Sequence, residues 1–218
     1  MGRDVLYRYF YTNEIQGCRL KDMQTETTNW NFSAAQNSFE RLCSQALMEI
    51  GEDPTREGLV RTPHRFRKAL HELTRGYSMT AREAVGEGIF ESESSGPVFV
   101  KEIEFFSLCE HHLLPFWGKV TIGYLPDDKI LGLSKLARVV EVFARRLQVQ
   151  ERLTREIADS ISELIGARAV SVIVEASHMC MAMRGVNKPG SMTRTEFNLG
   201  LENLNELDRN RFLKGMDS

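Results

Sequence analysis

Apolar residues recur at helical spacing from Phe39 onward, with Leu42, Cys43, Ala46, Leu47 and Ile50 on one stripe, and Gly51 follows as a stop. This predicts an amphipathic helix, and Cys43 on its apolar face reads as a packing residue. Thr62-Pro63 opens a second helix through Phe66, Ala69, Leu70 and Leu73, with a threonine cap, a proline in the first turn and His64 and His71 on its surface. The period then falls to two. Val98–Phe106 and Gly118–Leu125 read as paired strands, the second alternating Val120, Ile122 and Tyr124 against Thr121, Gly123 and Leu125. Ser134 is placed to cap a third helix whose stripe is Leu136, Val139, Val140, Phe143, Ala144 and Leu147. After a break at Gln148-Val149-Gln150, a fourth helix runs through Leu153, Ile157, Ile161, Leu164 and Ile165 to Gly166. A strand from Val170 to Ala176, a turn at Asn187-Lys188-Pro189-Gly190 and a strand from Met192 to Leu199 close the pattern. The order of helix and strand pairs predicts an α+β fold, with antiparallel hairpins and helices covering one sheet face.

Three stretches lack such a pattern. Residues 1–31 mix Tyr, Asn, Thr and charge and read as an extended arm. Between Thr80 and Pro97 the run containing Glu87, Glu91, Ser92, Glu93, Ser94 and Ser95 reads as a loop, and residues 201–218 as a tail.

A length of 218 residues fits one large domain, and a formal net charge of −2 without a dense basic tract argues against a nucleic-acid surface. Any bound phosphate is then expected on a small molecule. The opening Met1-Gly2-Arg3-Asp4 leads into no apolar segment, no run approaches membrane-spanning length, and four cysteines form no disulfide framework. These features predict a reducing, cytoplasmic location without a membrane partner.

The chemistry concentrates in two short stretches. Cys109-Glu110-His111-His112 and Ser177-His178-Met179-Cys180 hold three of the five histidines and two of the four cysteines. Thiolate and imidazole are zinc ligands, and a catalytic zinc keeps three protein ligands and one open position. Cys109, His112 and Cys180 supply three, since the spacing lets Cys109 and His112 converge across a turn. His111 and His178 remain as spare imidazoles for proton transfer, which points to hydrolysis by activated water. A closed structural site, with His111 or His178 as fourth ligand, is the alternative. If the alternation of the strand continues past Ala176, His178 and Cys180 share a face with Val172 and Val174.

Cations accompany this cluster. Ser134, Lys135 and Arg138 stand in the opening turns of a helix, where an anion is already favoured, and Arg184 follows Cys180 by four residues. Such a set fits a phosphate, for which arginine offers a bidentate fork. Glu151, at the start of the next helix, either complements the helix dipole or accepts paired N–H donors from a heterocycle.

Taken together, Cys-Glu-His-His at 109–112, Gly-Leu-Ser-Lys-Leu-Ala-Arg at 132–138, Gln-Val-Gln-Glu-Arg-Leu-Thr at 148–154 and His-Met-Cys-Met-Ala-Met-Arg-Gly at 178–185 resemble GTP cyclohydrolase I over about residues 35–200. The resemblance implies a zinc enzyme that converts GTP to 7,8-dihydroneopterin triphosphate and formate. It implies a tunnelling fold, in which subunit sheets join into a barrel, and a homodecamer with active sites between subunits. The catalytic domain is then residues 32–200, with a helical part at about 32–80 and a tunnelling-fold part at about 97–200. By the same resemblance Cys109, His112 and Cys180 are the metal ligands and His111 and His178 the catalytic histidines. Ser134 serves a later rearrangement, Glu151 binds guanine, and Lys135, Arg138 and Arg184 hold the triphosphate with Arg65 of a neighbouring subunit. Arg194 and Glu196 depart from the family pattern in the last strand, where Thr and Ser are usual.

Overall fold

The computed structural model describes residues 32–93 and 96–217, so the arm expected over 1–31 lies outside the described residues, as do Ser94 and Ser95. By its contacts the chain divides into two compact units, Met1–Arg67 and Lys68–Ser218.

In the first unit, α1 (Phe32–Glu49) is followed by the opening of α2 (Thr62–Leu73). Glu40 accepts a hydrogen bond from Arg67 Nε at 3.0 Å and lies 3.2 Å from His64 Nδ1. The helical period of the sequence is present, but the burial expected from it is not. Phe39, Leu42 and Ile50 are exposed, Cys43 is half-buried, and α2 buries none of its residues. Spacing fixes which side chains share a face; covering that face takes a further layer.

The second unit is built on a five-stranded sheet in the order β5-β2-β3-β6-β7. Its strands are β2 (Val98–Cys109), β3 (Pro115–Leu125), β5 (Leu147–Gln148), β6 (Ala169–His178) and β7 (Thr193–Leu199). The β2–β3, β3–β6 and β6–β7 pairs are antiparallel, whereas β5 adds two residues parallel to Leu108 and Cys109. Two long helices, α4 (Leu133–Ala144) and α5 (Gln150–Ile165), pack their apolar stripes on one face. There Leu136, Val139, Val140, Leu153, Ile157 and Ile161 meet Val120, Ile122, Val170, Val172 and Val174 in one core, each of these side chains fully buried. Each such side chain contributes roughly 1.5–3 kcal/mol of transfer free energy, enough to set the register of helix on sheet. Gly166, at φ 61°, ends α5 in the left-handed conformation its position predicts.

Several local expectations are corrected. The acidic run after Thr80 is not all loop. A capping box between Thr80 and Glu83 starts α3 (Ala81–Val85), and β1 (Ile89–Glu91) pairs with β4 (Lys129–Leu131). Three-residue strands are too short to show a period, so composition hid them. Gly132, not Ser134, occupies the cap position of α4, and Ser134 is an exposed first-turn residue. Leu147 is in β5 rather than on the helix. The strand β6 stops at His178, and Met179–Ala182 form a single helical turn, α6, so Cys180 reaches the site from a helix and not by strand parity.

Residues 201–218 do not form a plain tail. A short 3₁₀ turn leads into α7 (Glu206–Asp217), whose Phe212 and Met216 are buried against Leu125, Ala169 and Ile173 on the sheet face opposite α4 and α5. Helices therefore cover both faces at this end of the sheet, which is why Ala169–Val174 are buried without alternation. Among the described residues no helix is long and apolar enough to cross a membrane.

Candidate metal and catalytic site

The hairpin connection between β2 and β3 carries Glu110, His111 and His112. It is closed by hydrogen bonds from Leu113 N to Cys109 O (2.8 Å) and from Cys109 N to Leu114 O (2.9 Å). Leu113 sits at φ 55°, a left-handed conformation uncommon for leucine. Such strain persists only where surrounding contacts impose it, and it is found at functional turns. The turn is also gripped from outside. Glu110 N donates to Gln148 O at 3.0 Å, and its carboxylate is paired with Arg152, which donates in addition to Gln148 Oε1 and Leu147 O, both at 2.9 Å. Gln148 in turn donates to Phe143 O at 3.0 Å and Glu156 at 2.7 Å, so the start of α5 holds the turn in place.

Cys109, His112 and Cys180 then converge, with one possible ligand atom from each lying within 4.8 Å of the others. Cys109 Sγ is 3.9 Å from His112 Nδ1 and 3.7 Å from His111 Nδ1. Two sulfurs and one imidazole nitrogen gathered at the end of a rigid hairpin form a soft donor set that fits zinc and leaves a fourth position for water. Burial, and then the neighbouring Cys109 sulfur, push the Cys180 thiol up, while the positive charge of Arg184 pulls it down. A bound cation reverses the balance, because coordinated thiols are deprotonated.

The two spare histidines are held differently. The His111 side chain is 63 % exposed and reaches Glu110 at 3.8 Å. His178 is half-buried, its ring stacked on Phe116 at 4.5 Å and 3°, with Nε2 2.8 Å from Gln150 Oε1. Burial lowers its pKa, and the nearby Glu151 carboxylate works the other way.

The remaining residues of the predicted site divide. Glu151 and Arg184 are exposed and close enough to His178 and Cys180 for their charges to act. Ser134, Lys135 and Arg138 are elsewhere. Cys109 ends β2, whereas α4 begins beyond Tyr124, which pairs with Val98 at the other end of the hairpin and accepts a hydrogen bond from Leu131 N at 3.2 Å. Nine residues of strand separate Pro115 from Tyr124, about 30 Å at 3.3 Å per residue. Lys135 lays its stem across Gly88, where an added Cβ would collide with it, and Ser134 and Arg138 are exposed in the same turns of α4. Arg65 is exposed on α2, in the first unit.

Sequence reasoning passed over Arg152, Gln148 and Gln150, treating the two glutamines as a break between helices. Their polarity beside apolar stripes was the available signal: Gln148 and Gln150 are 1 % and 2 % exposed, and a glutamine buried to that degree must be hydrogen-bonded.

The sequence model described as GTP cyclohydrolase I matches residues 39–217. The chain belongs to that family. Three curated relatives carry the name GTP cyclohydrolase 1. That of Deinococcus radiodurans is 49% identical over 83% of both chains. The Dictyostelium discoideum protein is 54% identical over 76% of this chain and 71% of its own, and that of Methylococcus capsulatus 52% identical over 80% and 95%. The protein is accordingly an enzyme of the GTP cyclohydrolase I type. Among solved structures, an archaeosine synthase QueF-Like in the apo form covers 50% of this chain and 97% of its own at 17% identity, with a TM-score of 0.42, too distant to inform function.

Proposed function

We propose that this enzyme hydrolyses and rearranges GTP to 7,8-dihydroneopterin triphosphate and formate, the first step of pterin and tetrahydrofolate biosynthesis, using zinc held by Cys109, His112 and Cys180. The observation that carries the reading is the convergence of those three ligand atoms within 4.8 Å, beside two further imidazoles. Zinc bound there supplies Lewis acidity and activates water for attack near neutral pH. His111, exposed at the rim, gives a proton to the imidazole ring of guanine as the bond at C8 opens. His178 and Ser134 carry protons as a second water releases formate and the ribose carbons close the new ring. Glu151 accepts the paired N–H donors of the pyrimidine edge, which selects guanine over adenine.

The triphosphate falls to Lys135, Arg138, Arg184 and Arg65. Because about 30 Å of strand separates the start of α4 from the metal turn of the same chain, Ser134, Lys135 and Arg138 act in this reading on a neighbouring copy's zinc. Arg65 acts likewise from a neighbour, and the assembly is a homodecamer of tunnelling-fold rings. The sheet has edges for it: among the described residues β7 has one neighbour, and β2 meets a second strand only at Leu108 and Cys109. The free thiols suit a cytoplasmic location. Incubation of the purified protein with GTP should yield one formate per dihydropterin, with zinc near one per chain by elemental analysis. Release of inorganic phosphate without formate would overturn the assignment.

A further inference from the structure

Gln150 opens α5 at 2 % exposure and uses its whole carboxamide. Its Nε2 lies 2.9 Å from Val174 O, 3.0 Å from Thr193 O and 3.2 Å from Thr195 Oγ1. Two of those partners are backbone carbonyls, which only accept, so this end of the side chain is the NH₂ group. The other end, Oε1, faces His178 Nε2 at 2.8 Å, and an amide oxygen also only accepts. The imidazole nitrogen there must carry a hydrogen.

The hydroxyls beyond it point the same way. Thr154 Oγ1 donates to Gln150 O at 2.7 Å and lies 2.6 Å from Thr195 Oγ1. With the Thr154 hydrogen committed to the helix carbonyl, Thr195 donates to Thr154, and its oxygen can only share one of the two Gln150 amide hydrogens that the carbonyls of Val174 and Thr193 take up. The two hydroxyl hydrogens then each have one direction, and the orientation of the amide is fixed by the backbone of β6 and β7. The stacked Phe116 ring blocks one face of the imidazole and holds its plane.

We infer that Gln150 is a positioning residue that locks His178 in the Nε2–H tautomer, leaving Nδ1 as the nitrogen with a free lone pair. The inference rests on the reading of His178 as a site residue, and it adds which nitrogen is bare and what selects it. A glutamine that merely tied strands to helix would leave the tautomer to chance. In this network the oxygen that His178 meets cannot be exchanged for a donor without stranding two carbonyls.

The test is solid-state ¹⁵N spectroscopy of the zinc-loaded, full-length protein labelled at histidine, with His178→Gln identifying the signal that disappears. The expected neutral ring has a protonated Nε2 and a bare Nδ1. In Gln150→Met, which keeps the shape but offers no acceptor, the two tautomers should mix. Its kcat should fall on the order of 10–100-fold with KM for GTP within about threefold, since substrate contacts are untouched. Gln150→Glu should restore the tautomer and part of kcat, because its carboxyl, protonated toward one of the two carbonyls of Val174 and Thr193, still presents an acceptor to His178. A protonated Nδ1 in the wild type overturns the inference, as does a Gln150→Met protein that keeps both the Nε2–H signal and its kcat. Should Gln150→Met fail to fold, the wild-type spectrum and Gln150→Glu decide. Failure of the wild type to make a dihydropterin from GTP would instead remove the functional reading and leave the tautomer assignment standing.

Discussion

At one end of the β2–β3 hairpin, Cys109, His112 and Cys180 gather around a strained turn that α5 grips through Arg152 and Gln148. At the other, about 30 Å away along the strands, exposed Ser134, half-buried Lys135 and exposed Arg138 open α4. The first end is self-sufficient: its ligand atoms meet within one chain, and its backbone is tied down by hydrogen bonds. The second holds Lys135 and Arg138, for which no ion pair is found among the described residues. Helix N-termini disfavour cations unless an anion joins them. The contrast teaches that the candidate metal ligands and the cations of α4 gather at separate ends of one hairpin, and the proposal that a second copy joins them can be broken from either end.

The largest expected effect falls on the self-sufficient end. Cys180→Ser should lose zinc and activity together, at least on the order of 10³-fold, because a hydroxyl is a poor replacement for a thiolate ligand. Elemental analysis beside a formate assay checks it, and full zinc with full activity would break the comparison at its first term. Next, His111→Ala and His178→Ala should each slow turnover on the order of 10²–10⁴-fold while zinc remains near one per chain. Loss of zinc from either, in folded protein, would indicate a closed four-ligand site.

The far end should respond more mildly and in a different parameter. Lys135→Ala should raise KM for GTP on the order of 10–100-fold through one lost charge-assisted contact of about 1.5–3 kcal/mol, with zinc unchanged. Mixing it with His111→Ala under subunit exchange should recover activity above either parent, since a mixed interface can carry one intact site. Exchange proven by mass, without recovery, would place both ends in one chain's site and refute the division.

The smallest effect concerns the buried histidine. Burial holds the His178 pKa below its ordinary 6.5, so the folded state resists a proton that the unfolded chain accepts. Stability of the metal-free protein should therefore fall as pH drops from 6.5 toward the lowered folded value and level off below it. His178→Gln should flatten that slope, read as urea midpoints at about pH 8 and about pH 5. A slope unchanged in the variant would mean that the folded environment of His178 does not oppose its charge.

Much of this was legible before any coordinates. The stripes Leu136–Val139–Val140–Phe143 and Leu153–Ile157–Ile161 and the alternation of Val120–Ile122–Tyr124 declare their elements, because a buried face imposes its period on the sequence. The clustering of Cys109, His112 and Cys180 was legible too, since two stretches rich in soft-ligand residues in one chain suggest a shared site. Hidden were the short pieces, α3, β1, β4 and β5, whose few residues cannot display a period. The helix α7 was hidden as well: its buried contacts, Phe212 and Met216, are too sparse to mark a stripe.

By itself, then, the chain order of residues determined the α+β class, the long helices and strands, and the three candidate metal ligands that the structure brings together. Only the tertiary structure decided where those pieces go. It placed Cys180 on a helical turn, put α7 on the second sheet face and set Lys135 toward the opposite end of the hairpin from the Cys109–His112–Cys180 cluster. It also aimed Gln150 at His178. Periodicity is local and survives in sequence, whereas the direction of a buried amide depends on carbonyls supplied by strands 24 and 43 residues away.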